Sequence, residues 1–254
     1  MYGHKVLTKL DRKKHRDELG LFLVEGKKSV SDAITARAEV EQLVVTDRFV
    51  REQRQFCQNP QVQSFFQSRK VLTLSESSFA QLSETTTPQG VIAVIKKPAN
   101  VLTPLLNGET IIILDDLRDP GNVGTIIRTA DWFGVDGVIF VGGADPFQSK
   151  VVRASMGSFF HLPIYDSVNI VSELEQLKQA GFTIITTRPE LADQPSAALP
   201  RQQKLAIIFG NESRGTSAVL DDAADQSFSL PRFGNAESLN VAVSVGLALY
   251  ELKR

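Results

Sequence analysis

The sequence predicts an α/β protein in two parts, a small α/β unit followed by a larger one built on a mostly parallel sheet. Three observations carry this expectation. From Thr110 onward, short apolar runs alternate with segments of helical periodicity, the pattern of strands covered by helices. Lys96-Lys97-Pro98, with Pro104 and Gly108 after it, breaks the pattern and divides the chain into 1–97, a linker at 98–109, and 110–254. The charge divides there too: residues 1–97 hold 16 Lys and Arg against 11 Asp and Glu, net +5, whereas 98–254 hold 12 against 18, net −6. A basic half beside an acidic one suggests a surface that meets a polyanion.

In the first part, Arg12-Lys13-Lys14-His15-Arg16 forms a basic cluster ahead of the apolar Leu21-Phe22-Leu23-Val24. Arg12, Lys13 and Arg16 are expected on one helical face, available to phosphates. A helical pattern through Val30, Ala33, Ile34 and Ala38 follows, then a strand at 43–46, a charged segment at 47–58, a strand at 71–74, a helix near 76–82 and a strand at 91–95. In the second part, the expected order is strand 110–114, helix 123–133, strand 137–141, helix 150–158, strand 162–165, helix 170–180 and strand 182–186. Pro120-Gly121 is a turn signal and Asn122 a good N-cap, so the first of these helices starts at the end of its strand. Its apolar stripe is Val123, Ile126, Ile127, Ala130 and Phe133, which turns Arg128 to the opposite side.

The last stretch is the most informative. A strand at 205–209 stops at Gly210 and breaks into Asn211-Glu212-Ser213-Arg214-Gly215, a binding loop in outline. A short strand at 227–230 meets Pro231 and a loop through Gly234, and Ser238 reads as the cap of a helix over 239–252. Two loops thus leave two strand ends, where ligands of open α/β sheets lie. The helix is apolar nearly all round, and small Ala242 and Gly246 permit another helix to approach, either in the same chain or in a second copy.

Composition narrows the class. With 42% hydrophobic and 22% charged residues in 254, and no apolar run near the ~20 residues of a membrane span, the expectation is a cytoplasmic globular protein. One cysteine, Cys57, and three scattered histidines, His4, His15 and His161, offer no metal-ligand spacing, so no metal is expected. Gly121-Asn122-Val123-Gly124 lacks the G-x-G-x-x-G spacing of a dinucleotide site.

Asn122-x-Gly124-x-x-x-Arg128, then Phe209-Gly210-Asn211-Glu212-Ser213-Arg214-Gly215, then Leu230-Pro231-x-x-Gly234-x-x-x-Ser238-Leu239-Asn240-Val241, together resemble the three ordered motifs of the SpoU (TrmH) group of SPOUT RNA 2′-O-ribose methyltransferases. The likeness spans roughly 110–252, and residues 1–97 are similar to the substrate-binding domain that many members carry in front. It implies S-adenosylmethionine as methyl donor, a C-terminal trefoil knot, a homodimer with the site at its interface, and an RNA substrate, for which the basic first part favours ribosomal RNA over tRNA. Carried over by position, Gly210, Leu230 and Leu239 hold the donor, with Thr187 as a further contact. Arg128 falls on the catalytic arginine, and Glu212, Ser238 and Asn240 on the other polar motif positions. A guanidinium is a poor base, so stabilising a developing alkoxide or clamping a phosphate is its safer role. Lys150 and Arg153, three apart on one helical face, resemble a phosphate-facing segment beside the site.

Overall fold

The computed structural model describes residues 1–188, 199–200 and 203–254. The chain divides into two compact units, Met1–Ala99 with Phe147–Phe160, and Asn100–Pro146 with His161–Arg254.

The first unit is a four-stranded sheet of β1 (Leu21–Glu25), β2 (Val40–Thr46), β3 (Val71–Leu74) and β4 (Val91–Lys96) in the order β1-β4-β2-β3. Only β2 and β3 run parallel. Every residue of β1 is buried, which requires cover on both faces. Leu21 and Leu23 face a core with Leu7, Leu10, Phe79 and Ile92, while Phe22, on the other face, meets the rings of Phe147 and Phe159 at 5.2 and 5.7 Å. Residues 147–160 therefore complete the first unit, although the sequence division assigns them to the second. Their helix is also shorter than expected: Ser149–Ala154, followed by a 3₁₀ turn at Ser158–Phe160. The charged segment at 47–58 is helical, over Asp47–Glu52 and Arg54–Cys57. A further helix, Pro60–Gln67, opens on an Asn59 cap and Pro60 at its first position.

The second unit is a parallel six-stranded sheet of β5 (Thr110–Asp115), β6 (Gly137–Val141), β7 (Ile164–Asp166), β8 (Phe182–Thr187), β9 (Lys204–Phe209) and β10 (Gln226–Phe228), ordered β10-β8-β9-β5-β6-β7. The chain builds outward from β5 to β7, then returns to build on the other side of β5. Residues 98–109 are not a free linker, because Leu102 and Leu105, the latter in the helix Thr103–Leu106, are buried in this unit's core. Leu114 pairs with Phe209, Thr186 with Ile208 and Phe228 with Thr187, so the carboxyl ends of β5, β9, β8 and β10 lie side by side.

Helix Pro120–Trp132 follows β5 and buries Val123, Ile126, Ile127 and Ala130, as the stripe predicts. Its cap is Asp119 rather than Asn122: Asn122 N donates to Asp119 Oδ1 at 2.8 Å. The C-terminal helix, Val241–Lys253, packs on it. A Cβ placed on Gly246 meets Thr129 Cγ2 at 3.7 Å and Ala242 is buried, so the small residues serve a contact within the chain. The outer side of the helix still exposes Val243, Leu247 and Tyr250, spaced as one helical stripe. Asn240, not Ser238, caps this helix, its Oδ1 accepting from Ala242 N at 2.9 Å and Val243 N at 3.4 Å. The last strand also stops at Phe228 rather than at 230, since β8, its partner among the described residues, ends at Thr187. Residues 232–240 are thereby left exposed at the sheet's carboxyl edge.

Candidate active site

A cavity of about 280 Å³ opens where β8, β9 and β10 end, walled by the segments after them and by the start of the C-terminal helix. Thr187, Gly210, Leu230 and Leu239 all line it, as do Glu212 and Ser238. Its apolar floor is Phe209, Phe228 and Leu230.

The loop after β9 is held by its own backbone. Asn211 N donates to Gly215 O at 3.0 Å and Gly215 N to Asn211 O at 2.9 Å. The Asn211 side chain accepts from Ser213 N at 2.9 Å and Arg214 N at 3.2 Å, and donates to Asp116 O at 2.7 Å. Gly210 has no room for a side chain: a Cβ there stands 2.3 Å from both Gly215 C and Thr216 N, far inside van der Waals contact. Across the cavity, Thr187 Oγ1 donates to Ile208 O at 2.8 Å and so ties β8 to β9 at its end.

Three polar residues from three distant segments form one hydrogen-bonded chain. Asn240 Nδ2 donates to Asn122 Oδ1 at 3.0 Å, and Asn122 Nδ2 donates to Glu212 Oε1 at 3.1 Å. Sequence reasoning took Asn122 for a helix cap and missed its place between Glu212 and Asn240. Since Asn240 also caps the C-terminal helix, one side chain fixes both that helix and the Asn122 amide. Asn240→Ala is expected to cost about 1 kcal/mol and lower the thermal midpoint by about 2–4 °C, measurable by calorimetry. Activity is expected to fall much further, because Asn122 loses the donor that fixes the amide bonded to Glu212.

Arg128 is exposed, away from the stripe of its helix, and is not among the residues lining the cavity. Thr187, Gly210, Leu230 and Leu239 line the cavity and Arg128 does not. Of the basic positions, Arg12, Lys13 and Lys150 are exposed. Arg16 corrects the expectation: it is 4% exposed and donates to Leu10 O at 2.7 Å and Asp11 O at 2.9 Å, so it serves the fold of the first unit and not a phosphate surface. Arg153 is half-buried with Nη1 3.9 Å from a Glu25 oxygen. Lys150 and Arg153 belong to the first unit, whose balance becomes 18 Lys and Arg against 11 Asp and Glu, net +7.

Residues 109–250 match the model of the SpoU rRNA methylase family, and residues 5–93 that of the MRM3-like substrate binding domain. This chain belongs to the SpoU methylase family. It is 34% identical over 247 residues to the 23S rRNA (guanosine(2553)-2′-O)-methyltransferase RlmP of Bacillus subtilis (strain 168), covering 96% of this chain and 93% of that protein. Among solved structures, the AdoMet-bound rRNA methyltransferase from Sinorhizobium meliloti aligns with a TM-score of 0.81 at 33% identity, over 98% of this chain and 93% of that one. The SpoU methyltransferase AviRb from Streptomyces viridochromogenes, solved with the cofactor AdoMet, aligns with a TM-score of 0.80 at 26% identity, over 98% and 96%. In this SpoU-family chain, the three family motifs are the segments joined through Asn122, Glu212 and Asn240.

Proposed function

We propose that this SpoU-family chain methylates a ribose 2′-hydroxyl of ribosomal RNA in the cytoplasm, with S-adenosylmethionine as donor. The observation that carries the reading is the convergence of all four expected donor positions on one cavity, beside the hydrogen-bonded Asn240–Asn122–Glu212 chain. The cavity fits the donor: its size is close to the lower end of ligand pockets, about 300–1,000 Å³, its floor is apolar, and its walls are loop backbone. When bound, the donor supplies an electrophilic methyl group on a sulfonium. Leu230 and Leu239 cover its apolar parts, while the locked 210–215 loop presents backbone groups without a side chain at Gly210. Arg128 steadies the negative charge that grows on the ribose oxygen or clamps the neighbouring phosphate. Ser238 and Asn240 orient the ribose, and Glu212, braced through Asn122, fixes the loop.

The reading includes a two-fold homodimer in which Arg128 of one copy serves the cavity of the other. Two features support it: the exposed stripe Val243, Leu247 and Tyr250, and the position of Arg128 off its own chain's cavity lining. Leu247→Arg is expected to convert the dimer to monomers at micromolar concentration, read by light scattering, and to abolish transfer. The trefoil knot implied by the family resemblance belongs to the same reading.

The first unit, with its net charge of +7, is read as the RNA-binding part. Reversing Arg12, Lys13 and Lys150 to Glu is expected to weaken RNA binding at every salt concentration. The slope of log affinity against log salt should flatten by about 0.7–0.9 for each phosphate that is no longer neutralised. An unchanged slope would make these residues an ordinary solvated face. The substrate class is tested by mapping 2′-O-methyl sites in ribosomal and transfer RNA from cells with and without the gene. Loss of a ribosomal site is expected, and a loss confined to tRNA would move the substrate there.

A further inference from the structure

We propose that Phe233 is a substrate-positioning residue whose ring stacks on a nucleobase of the acceptor RNA at the mouth of the donor cavity. The inference rests on the cavity holding the donor and the acceptor being RNA. Phe233 is 95% exposed, the most exposed large apolar side chain among the described residues. Most other phenylalanines of this chain lie in the two cores or against their edges, and the exposed aromatics Trp132 and Tyr250 lie on helix faces. Phe233 stands instead in the 231–240 loop, between Pro231 and Gly234, and it lines the same cavity as Gly210 and Leu239.

Its exposure shows that the ring is at the rim. The floor already offers Phe209, Phe228 and Leu230, so apolar cover for the donor does not require a ring that touches almost nothing in its own chain. The acceptor ribose must reach the same mouth to meet the methyl group in line, and its base or the next one then comes within reach of a ring on the rim. Single-stranded bases stack on aromatic side chains whatever their sequence, and each such contact is worth a substantial share of the affinity. Phe233 thus holds the nucleotide while Ser238 and Asn240 of the same chain, and Arg128 of the partner subunit, act on its ribose.

The test compares full-length wild type with Phe233→Ala, Phe233→Leu and Phe233→Trp. Binding of transcribed 23S ribosomal RNA is read with S-adenosylhomocysteine present, so that the signal is independent of turnover, and KM and kcat are read separately with the donor. Ala and Leu are expected to weaken binding and raise the RNA KM by about tenfold, and Trp to keep both within about twofold. Donor affinity by calorimetry and dimer mass by light scattering should not change. Equal RNA binding by wild type and Phe233→Ala would overturn the proposal. So would a fall in donor affinity, which would make the ring a cover for the donor, or a change in mass, which would place it between copies. A wild type that binds the RNA yet transfers no methyl would count against the function, while the binding comparison would still decide Phe233. A wild type that binds no RNA would overturn both.

Discussion

Arg128→Ala is expected to lower kcat by about 10²–10³-fold or more while S-adenosylmethionine affinity stays within about threefold. The guanidinium is exposed and off the cavity lining of its own chain, so its removal leaves the donor cavity intact. Helix burial is also unaffected, since Val123, Ile126, Ile127 and Ala130 lie on the other side. The sharper form of the experiment mixes subunits. An Arg128→Ala chain paired with a chain that cannot bind the donor should recover up to one working site per heterodimer. No recovery, with heterodimers shown to form, would mean that each site is completed within one chain. An active Arg128→Ala enzyme would remove the residue from the mechanism.

Gly210→Val is expected to reduce donor affinity by about 100-fold or more, because the loop backbone must move by about an ångström or more to admit the side chain. A Cβ at this position would stand 2.3 Å from the backbone of Gly215 and Thr216, which no rotamer relieves. The same strain lowers stability, by about 1–3 kcal/mol for an overpacked site. Leu239→Arg separates the two effects: Leu239 is 51% exposed and lines the cavity, so a charged side chain there obstructs the donor with little cost to the fold. Unchanged donor affinity in Leu239→Arg, measured by calorimetry, would mean that the donor site lies elsewhere.

The second unit was largely legible because β5, β6 and β9 are short apolar runs, β6 and β9 stop at Gly142 and Gly210, and the stripe of helix Pro120–Trp132 follows helical spacing closely. What escaped reading was set by distant partners. Nothing local in Phe147–Phe160 says that its rings cover Phe22 in the first unit, since the apolar residues fit either core. Arg16 looks like its neighbours Arg12 and Lys13 until the chain folds back and offers it the carbonyls of Leu10 and Asp11. Gly210, Leu230 and Leu239, singled out through motif order, all line the cavity. The bridging role of Asn122 depends on partners 90 and 118 positions away, so the nearby helix start masked it. The caps followed the helix starts: the helices begin at Pro120 and Val241, so Asp119 and Asn240 stand at the capping positions and Asn122 and Ser238 do not.

The central claim is tested most directly by incubating the purified protein with S-adenosylmethionine carrying a labelled methyl group and ribosomal RNA from cells lacking the gene. The RNA is then digested to nucleosides and separately hydrolysed with alkali. The account predicts label in one 2′-O-methylated nucleoside and in an alkali-resistant dinucleotide, because a methylated 2′-oxygen cannot attack the neighbouring phosphate. Label on a base, or no transfer to RNA by a folded protein that binds the donor, would contradict it.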